Sequence, residues 1–453
     1  MRGWTPERVA EAAGAQLVSP PPTREGPERA TVDSRAAGPG ALFVGLEGER
    51  THGGRYAAQA LAAGAWGVLT TAEHAEAARC ATPGALLAAS DPLAALQRLA
   101  NAWLRELGAK VVGITGSTGK TSTKDILFGV LGAHRRTVAS RANFNTEVGL
   151  PLEVLAAPAG VEVLVLEMAM RGPGQIAELA AIAEPDVGVI VTVGPVHLEL
   201  LGSLEAIAAA KAELIAALSP GATAVVPANE PLLEPHLRAD IEVVRFGPGG
   251  DVQLLHSEGE QVEIDAAGER ITLEVPFTQA HLRMNLLAAV AAAVAIGVVP
   301  DGRVDVALSA GRGQRVARSD GVLVIDDCYN ANPMSMRAAL DDLATTAAEL
   351  ETAGRRVAVL GDMLELGPQS SEFHRAIGKH AREAGVDLLV TVGPLAAAIA
   401  ERFVGEVHAV DSAAEAERLV PGLIEPGDVV LVKGSRGVGL EVVCDALTDR
   451  VSA

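Results

Sequence analysis

Up to about residue 84 the chain alternates short apolar runs, Ala41-Leu42-Phe43-Val44 and Trp66-Gly67-Val68-Leu69 among them, with Ala-rich stretches and Gly/Pro breaks. Four-residue runs bounded by turn formers read as short strands and the Ala-rich stretches as helices, so this part is a small α/β unit. Across residues 92–107 the apolar positions recur at helical spacing and lead into the strand Lys110-Val111-Val112-Gly113-Ile114. Further apolar runs at 161–166, 187–193, 224–227 and 243–246 then alternate with helical segments. Unbroken rather than alternating apolarity implies strands covered on both faces, hence a mostly parallel sheet wrapped by helices.

After Gly311 the rhythm restarts, with runs at 322–325, 357–360, 388–390 and 429–432 separated by helical stretches. That is a third α/β unit of doubly wound type. The longest apolar stretch, 286–299, falls short of the ~20 residues of a membrane span and follows Arg283 and Asn285, so it reads as a buried helix.

Composition narrows the partners. A chain of 453 residues predicts about three domains. Lys+Arg 37 against Asp+Glu 57 leaves a net charge of −20, against which nucleic acid would have to bind. A phosphorylated small molecule remains open, because oriented N–H groups and a metal ion can overcome net charge locally. Cys80, Cys328 and Cys444 lie far apart and form no C-x-x-C pair, which argues against a zinc knuckle or a disulfide framework. With no secretory leader at the N-terminus and no membrane span, a cytoplasmic monomer is expected.

Gly113-Ile114-Thr115-Gly116-Ser117-Thr118-Gly119-Lys120-Thr121-Ser122 follows a strand and opens a helix. The strict G-x-x-x-x-G-K-[ST] form would need Gly where Ile114 stands, so this is a variant phosphate loop, T-G-x-x-G-K-T. Thr115 through Ser122 are the expected nucleotide-binding residues: backbone N–H groups turn toward the phosphates, Lys120 adds a point charge, and the Thr121 hydroxyl can ligate Mg²⁺. The bland alternative is a Gly-rich turn with no ligand. By itself the loop does not separate a ligase from a kinase, a GTPase or a transport ATPase.

Polar residues directly after parallel strands face the same site. Glu167 follows the run 163–166, and His197 follows 189–193 by a short Gly-Pro turn; both could hold divalent cations. A lone histidine there is equally a turn or core residue, and Lys211, inside the helical run 204–218, would by position alone be a snorkelling surface lysine.

The series Thr115–Thr121, Glu167, His197-Leu198-Glu199 with Gly202-Ser203, and Ala210-Lys211-Ala212-Glu213-Leu214 resembles the Mur ligases of peptidoglycan synthesis in order and spacing, over nearly the whole chain. The resemblance implies a small N-terminal α/β domain for a UDP-sugar (1–84), a central P-loop ATPase-type domain (85–312), and a C-terminal Rossmann-like domain for the amine substrate and for closure over ATP (313–453). It implies that Lys120, Glu167, His197 and Lys211 are catalytic, that Thr121, Glu167, His197 and Lys211 hold Mg²⁺, two ions in all, and that Lys211 is carbamylated.

Asp326-Asp327-Cys328-Tyr329-Asn330-Ala331-Asn332-Pro333 and Gly361-Asp362-Met363-Leu364-Glu365-Leu366-Gly367 look like the branch that joins D-alanyl-D-alanine to a UDP-N-acetylmuramoyl tripeptide. The expected substrates are therefore ATP, that tripeptide and the dipeptide, with an acyl-phosphate intermediate. Arg312, Asn285, Asp327 and Tyr329 are expected on ATP; Ser34, Arg35, Asn145, Asn330, Asn332, Asp362, Lys433, Ser435 and Arg436 on the other substrates. The Lys433-Gly434-Ser435-Arg436 turn and Arg35 also fit plain solvated cations.

Three stretches depart from the family pattern. The first-domain D-G-H reads His52-Gly53-Gly54, Thr146 stands where a second Asn is common, and H-N-x-x-N reads His281-Leu282-Arg283-Met284-Asn285. The rival readings are another amide ligase of the superfamily, such as a third-residue-adding Mur ligase or a folylpolyglutamate synthase, and a P-loop ATPase that is no ligase.

Overall fold

The structure, a computed structural model, describes residues 1, 3–80, 82–141, 143–350 and 354–448; positions 449–453 of the expected third domain lie outside the described residues. Three sheets form among the described residues. The first has the strand order Gln16–Ser19, Ala85–Ala88, Gly67–Thr70, Ala41–Val44, Arg29–Thr31, parallel except where Gln16–Ser19 meets Ala85–Ala88. The first sheet therefore runs past residue 84, where the sequence placed the domain's end. The run Ala85-Leu86-Leu87-Ala88 is buried throughout and pairs in register with Gly67–Thr70.

A well-marked helix joins this unit to the next. Asp91 caps Pro92–Leu107, accepting from Ala94 N–H at 3.0 Å, and Gly108 ends it at φ 60° in left-handed backbone. Its buried Leu96, Leu99 and Trp103 fall three and four residues apart and enter the core that runs continuously from the first sheet to one face of the central one. Burying each leucine contributes about 1.5–3 kcal/mol.

The central sheet has ten strands. At its parallel heart lie Thr137–Ala139, Val163–Glu167, Lys110–Thr115, Val187–Ile190, Thr223–Pro227 and Glu242–Phe246, in that spatial order. An antiparallel extension, Val252–Glu258, Gln261–Ala266 and Glu269–Glu274, continues the edge. Helix Ala280–Ala295 packs its small side chains against the phosphate-loop helix Lys120–Gly132, and Leu286 to Ala293 are all buried, but the helix stops at Ala295 and Val299 is exposed, so the buried helix expected over 286–299 ends early.

The third sheet is ordered Gln314–Ala317, Leu323–Asp326, Val429–Lys433, Arg356–Gly361, Leu388–Val392, Glu406–Val410, parallel but for its first strand. Separate apolar cores cover its two faces, as a doubly wound sheet requires. No helix among the described residues is long and apolar enough to cross a membrane.

Candidate active site

The C-terminal ends of strands Lys110–Thr115, Val163–Glu167 and Val187–Ile190 open into a cleft of about 1170 Å³ whose opposite wall is the third domain. The phosphate loop forms its floor. Ser117 N–H donates to Thr192 O, Thr118 N–H to Thr192 Oγ1 at 2.9 Å, and Ser117 Oγ to Gly194 O at 3.0 Å. Those bonds hold the turn from behind and leave the first-turn amides of Lys120, Thr121 and Ser122, all of which line the cleft, for an anion. Gly119 sits at φ 81°, and a Cβ there would lie 2.6 Å from Asn285 Oδ1, so the loop and helix Ala280–Ala295 touch only because position 119 is glycine. Lys120 Nζ donates to Gly116 O at 2.9 Å; burial lowers its pKa, with Glu167 opposing and Arg312 adding to the shift.

Glu167 is almost wholly buried and accepts from Thr121 Oγ1 and Asn145 Nδ2, each at 2.8 Å, one on each carboxylate oxygen. Arg312 reaches from the linker to the third domain, donating to Thr121 Oγ1 at 3.2 Å with its guanidinium 4.0 Å from the Tyr329 ring centre. Its Nε is buried without a partner among the described residues. Arg436 covers the same tyrosine and donates to its hydroxyl at 2.9 Å. Asp327 forms a 2.6 Å ion pair with the buried Lys433, whose ammonium also donates to Asn330 O.

His197 stands at φ 54° after the third of these strands, and its Nδ1 hydrogen-bonds the carboxylate of Glu365, itself at φ 62° on the third domain. Burial lowers the His197 pKa and Glu365 raises it; Lys120 and Lys211 lower it further. Lys211 is 1 % exposed, so it is no snorkelling surface residue. Burial pushes its ammonium well below the lysine range, Lys120 adding to the effect, and no hydrogen-bond or ion-pair partner occurs among the described residues.

Of the expected substrate contacts, Asn145, Asn330, Asn332, Lys433, Ser435 and Arg436 line the cleft, as do Asn285, Asp327 and Tyr329. Several also hold the fold: Asn332 caps helix Pro333–Glu349 with Ser335, and Ser435 Oγ accepts from Leu364 N–H. Asp362 is buried outside the cleft, where its Oδ1 accepts from Ala396 N–H at 2.7 Å. Ser34 and Arg35 sit on a 3-10 turn of the first domain, away from the cleft, with Arg35 paired to Asp33. Among the cleft residues that the sequence did not single out are Glu365 and Thr192. Both lie just beyond strand ends, the signal that did mark Glu167 and His197.

Profiles of Mur ligase domains match the chain in three consecutive stretches: the family's catalytic domain over residues 29–112, its middle domain over 114–293, and its glutamate ligase domain over 311–436. The UDP-N-acetylmuramoyl-tripeptide--D-alanyl-D-alanine ligase of Bacillus subtilis (strain 168) is 35% identical over 98% of each chain. The ligase of the same name from Mycobacterium tuberculosis (strain H37Rv) is 38% identical over 98% of this chain and 97% of its own. Among solved structures, MurF from Acinetobacter baumannii superposes with a TM-score of 0.86 at 29% identity over 99% of each chain. MurF ligase from Thermotoga maritima, in complex with ADP, gives 0.80 at 30% identity over 93% of this chain and 97% of that one.

Proposed function

The chain belongs to the Mur ligase family, and we propose that its cleft joins D-alanyl-D-alanine to a UDP-N-acetylmuramoyl tripeptide by way of an acyl phosphate, at the expense of ATP, in peptidoglycan precursor synthesis. One observation carries the reading: Arg312, arriving with the third domain, and Glu167, from the central sheet, both bond the hydroxyl of phosphate-loop Thr121. A nucleotide's outer phosphates and an acceptor acid are thereby assigned to one enclosed space.

A carboxylate is a poor acyl donor because its leaving group would be oxide. In the proposed route the terminal carboxylate of the tripeptide attacks the γ-phosphorus of ATP, ADP leaves, and the first-turn amides, Lys120 and Arg312 stabilise the charge on the transferring group. The amine of D-alanyl-D-alanine then attacks the acyl carbon, loses a proton, and expels phosphate as the amide forms. Positioning and electrostatics suffice, so no covalent nucleophile is needed.

The site suits magnesium. Thr121 and Glu167 present hard oxygen donors 2.8 Å apart at the mouth of the loop, and the buried Lys211, its ammonium disfavoured by burial, has no hydrogen-bond or ion-pair partner among the described residues. We assign Mg²⁺ to Thr121, Glu167, His197 and Lys211; when bound it supplies neutralisation of phosphate charge. An amine held below its ordinary pKa is a nucleophile for CO₂. Lys211 Nζ would add to the carbon, release a proton and become a carbamate, replacing a cation with an oxygen ligand.

We assign the UDP group to the first domain, residues 1–84 with strand Ala85–Ala88, around Ser34 and Arg35. The central domain through Arg312 takes ATP, and the third, from 313 on, takes the dipeptide and closes the cleft. We take the enzyme to act as a monomer in the cytoplasm. Phosphate release measured with each substrate omitted in turn tests the function. It should require ATP, the UDP-muramoyl tripeptide and the dipeptide together; release that ignores either peptide refutes it.

A further inference from the structure

The linker that carries Arg312 is gripped at a second point, one helical turn along from the phosphate loop. Asp125 follows Thr121 by four residues on helix Lys120–Gly132, so the two share a face. Asp125 Oδ2 accepts from both the N–H and the hydroxyl of Ser309, each at 2.8 Å, while Thr121 accepts from Arg312 three residues later. The linker thus lies along the helix with two points of register. It lies close: a Cβ on Gly129, one further turn along, would come within 2.5 Å of Asp305 O.

The same segment is held from the third domain. Gln314, the first residue of strand Gln314–Ala317, donates through Nε2 to Leu308 O at 3.0 Å and Ser309 O at 2.7 Å, and accepts from Arg312 N–H at 3.0 Å. Between these grips lie Gly311 at φ 67° and Gly313 at φ 81°. Hydrogen bonds to a carboxylate are roughly twice as strong as neutral ones. The Asp125 grip is therefore the stronger of the two, and the neutral amide bonds of Gln314 are the weaker.

We propose that Asp125 is a positioning residue for phosphoryl transfer: by fixing Ser309 it delivers the Arg312 guanidinium to the phosphate loop, with Gln314 as the releasable half of the same hinge. The inference rests on the proposed function only in taking Arg312 to act on the triphosphate.

A double-variant cycle on kcat/KM for ATP tests it, with thermal unfolding recorded alongside. A misplaced catalytic group costs on the order of tenfold to a hundredfold; Asp125→Ala should show that loss, and Asp125→Asn, which keeps an acceptor oxygen, should recover part of it. In the Arg312→Ala background Asp125→Ala should add almost nothing, since the two act through one group. Additive losses in the double variant, or an Asp125→Ala enzyme with unchanged kcat/KM, overturn the inference. An Arg312→Ala enzyme of full activity instead refutes the functional reading beneath it. Should Asp125→Ala fail to fold, Ser309→Ala removes one of the two donors and enters the same cycle, with a smaller loss that must likewise vanish without Arg312.

Discussion

His197 and Glu365 meet across the cleft with both backbones left-handed, at φ 54° and 62°. A side chain other than glycine in that region costs about 1–2 kcal/mol, and here two of them form one contact between domains. A carboxylate can only accept, so His197 Nδ1 carries the shared proton and Nε2 keeps its lone pair. The pair fixes which ring nitrogen is offered to a ligand and how the ring is turned, as outer carboxylates do for metal-binding histidines.

Replacing Glu365 should therefore lower activity without harming the fold. Glu365→Gln is expected to lose about tenfold to a hundredfold in kcat. Glu365→Gly should unfold at a slightly higher temperature, because the backbone strain is relieved, and still lose activity. Steady-state kinetics with thermal unfolding on both variants checks this; a glycine variant with full kcat would show that the contact is only a strut.

His374 predicts a pH dependence of stability. It is fully buried, accepts from Met363 N–H at Nε2 (2.9 Å) and bonds Ser370 O through Nδ1 (2.8 Å), an arrangement that needs the neutral ring. Burial lowers its pKa below 6.5. Above that value the ring is neutral in both states and costs nothing. As pH falls through 6.5 toward the lower folded value, the unfolded chain takes up a proton that the folded one resists, so stability drops. Thermal midpoints between about pH 7.5 and about pH 5.5 should fall, and less steeply in His374→Gln. Equal slopes would remove His374 as a cause.

The phosphate loop was legible because its chemistry is contiguous: seven residues carry the turn, the charge and the hydroxyl. Glu167 and His197 were legible by position, since a parallel sheet gathers its strand ends. Lys211 was not, because its burial comes from packing of helix Leu204–Ala217 between other elements, and its neighbours Ala208, Ala210 and Ala212 would suit a surface helix equally well. Strand Gln261–Ala266 also escaped, because its buried apolar residues alternate with partly exposed polar ones instead of forming the unbroken run that marked the parallel strands. The shift at residue 84 has the same origin, for Ala-Leu-Leu-Ala carries no β-branched residue to mark a strand.

Lys211 itself gives a direct test. Lys211→Ala should lose at least about a hundredfold in kcat and regain part of it with formate or acetate, small carboxylates that fill the vacated volume with oxygen ligands. Isotopically labelled bicarbonate should give the native protein a carbamate carbon resonance that the variant lacks. A variant fully active at low bicarbonate would end the carbamate assignment.

Gly194 isolates closure from binding. It is stapled to the phosphate loop, its N–H donating to Ser117 Oγ at 2.9 Å and its carbonyl accepting from the same hydroxyl. The three atoms nearest a Cβ at this position all belong to Met334 of the third-domain helix Pro333–Glu349, with Sδ at 1.9 Å. Its φ is not in the left-handed region, so alanine fits the backbone, and the closest clash is with a side chain of the third domain. Gly194→Ala should fold normally, bind nucleotide to the central domain with little change, and lose roughly tenfold in kcat, the size expected when a positioning step is disturbed. Shortening the opposing side chain should cure it: Gly194→Ala with Met334→Ala is expected to recover most of the loss, a coupling that neither single change predicts. If the double variant is as slow as the single one, the two domains do not meet at this contact during turnover.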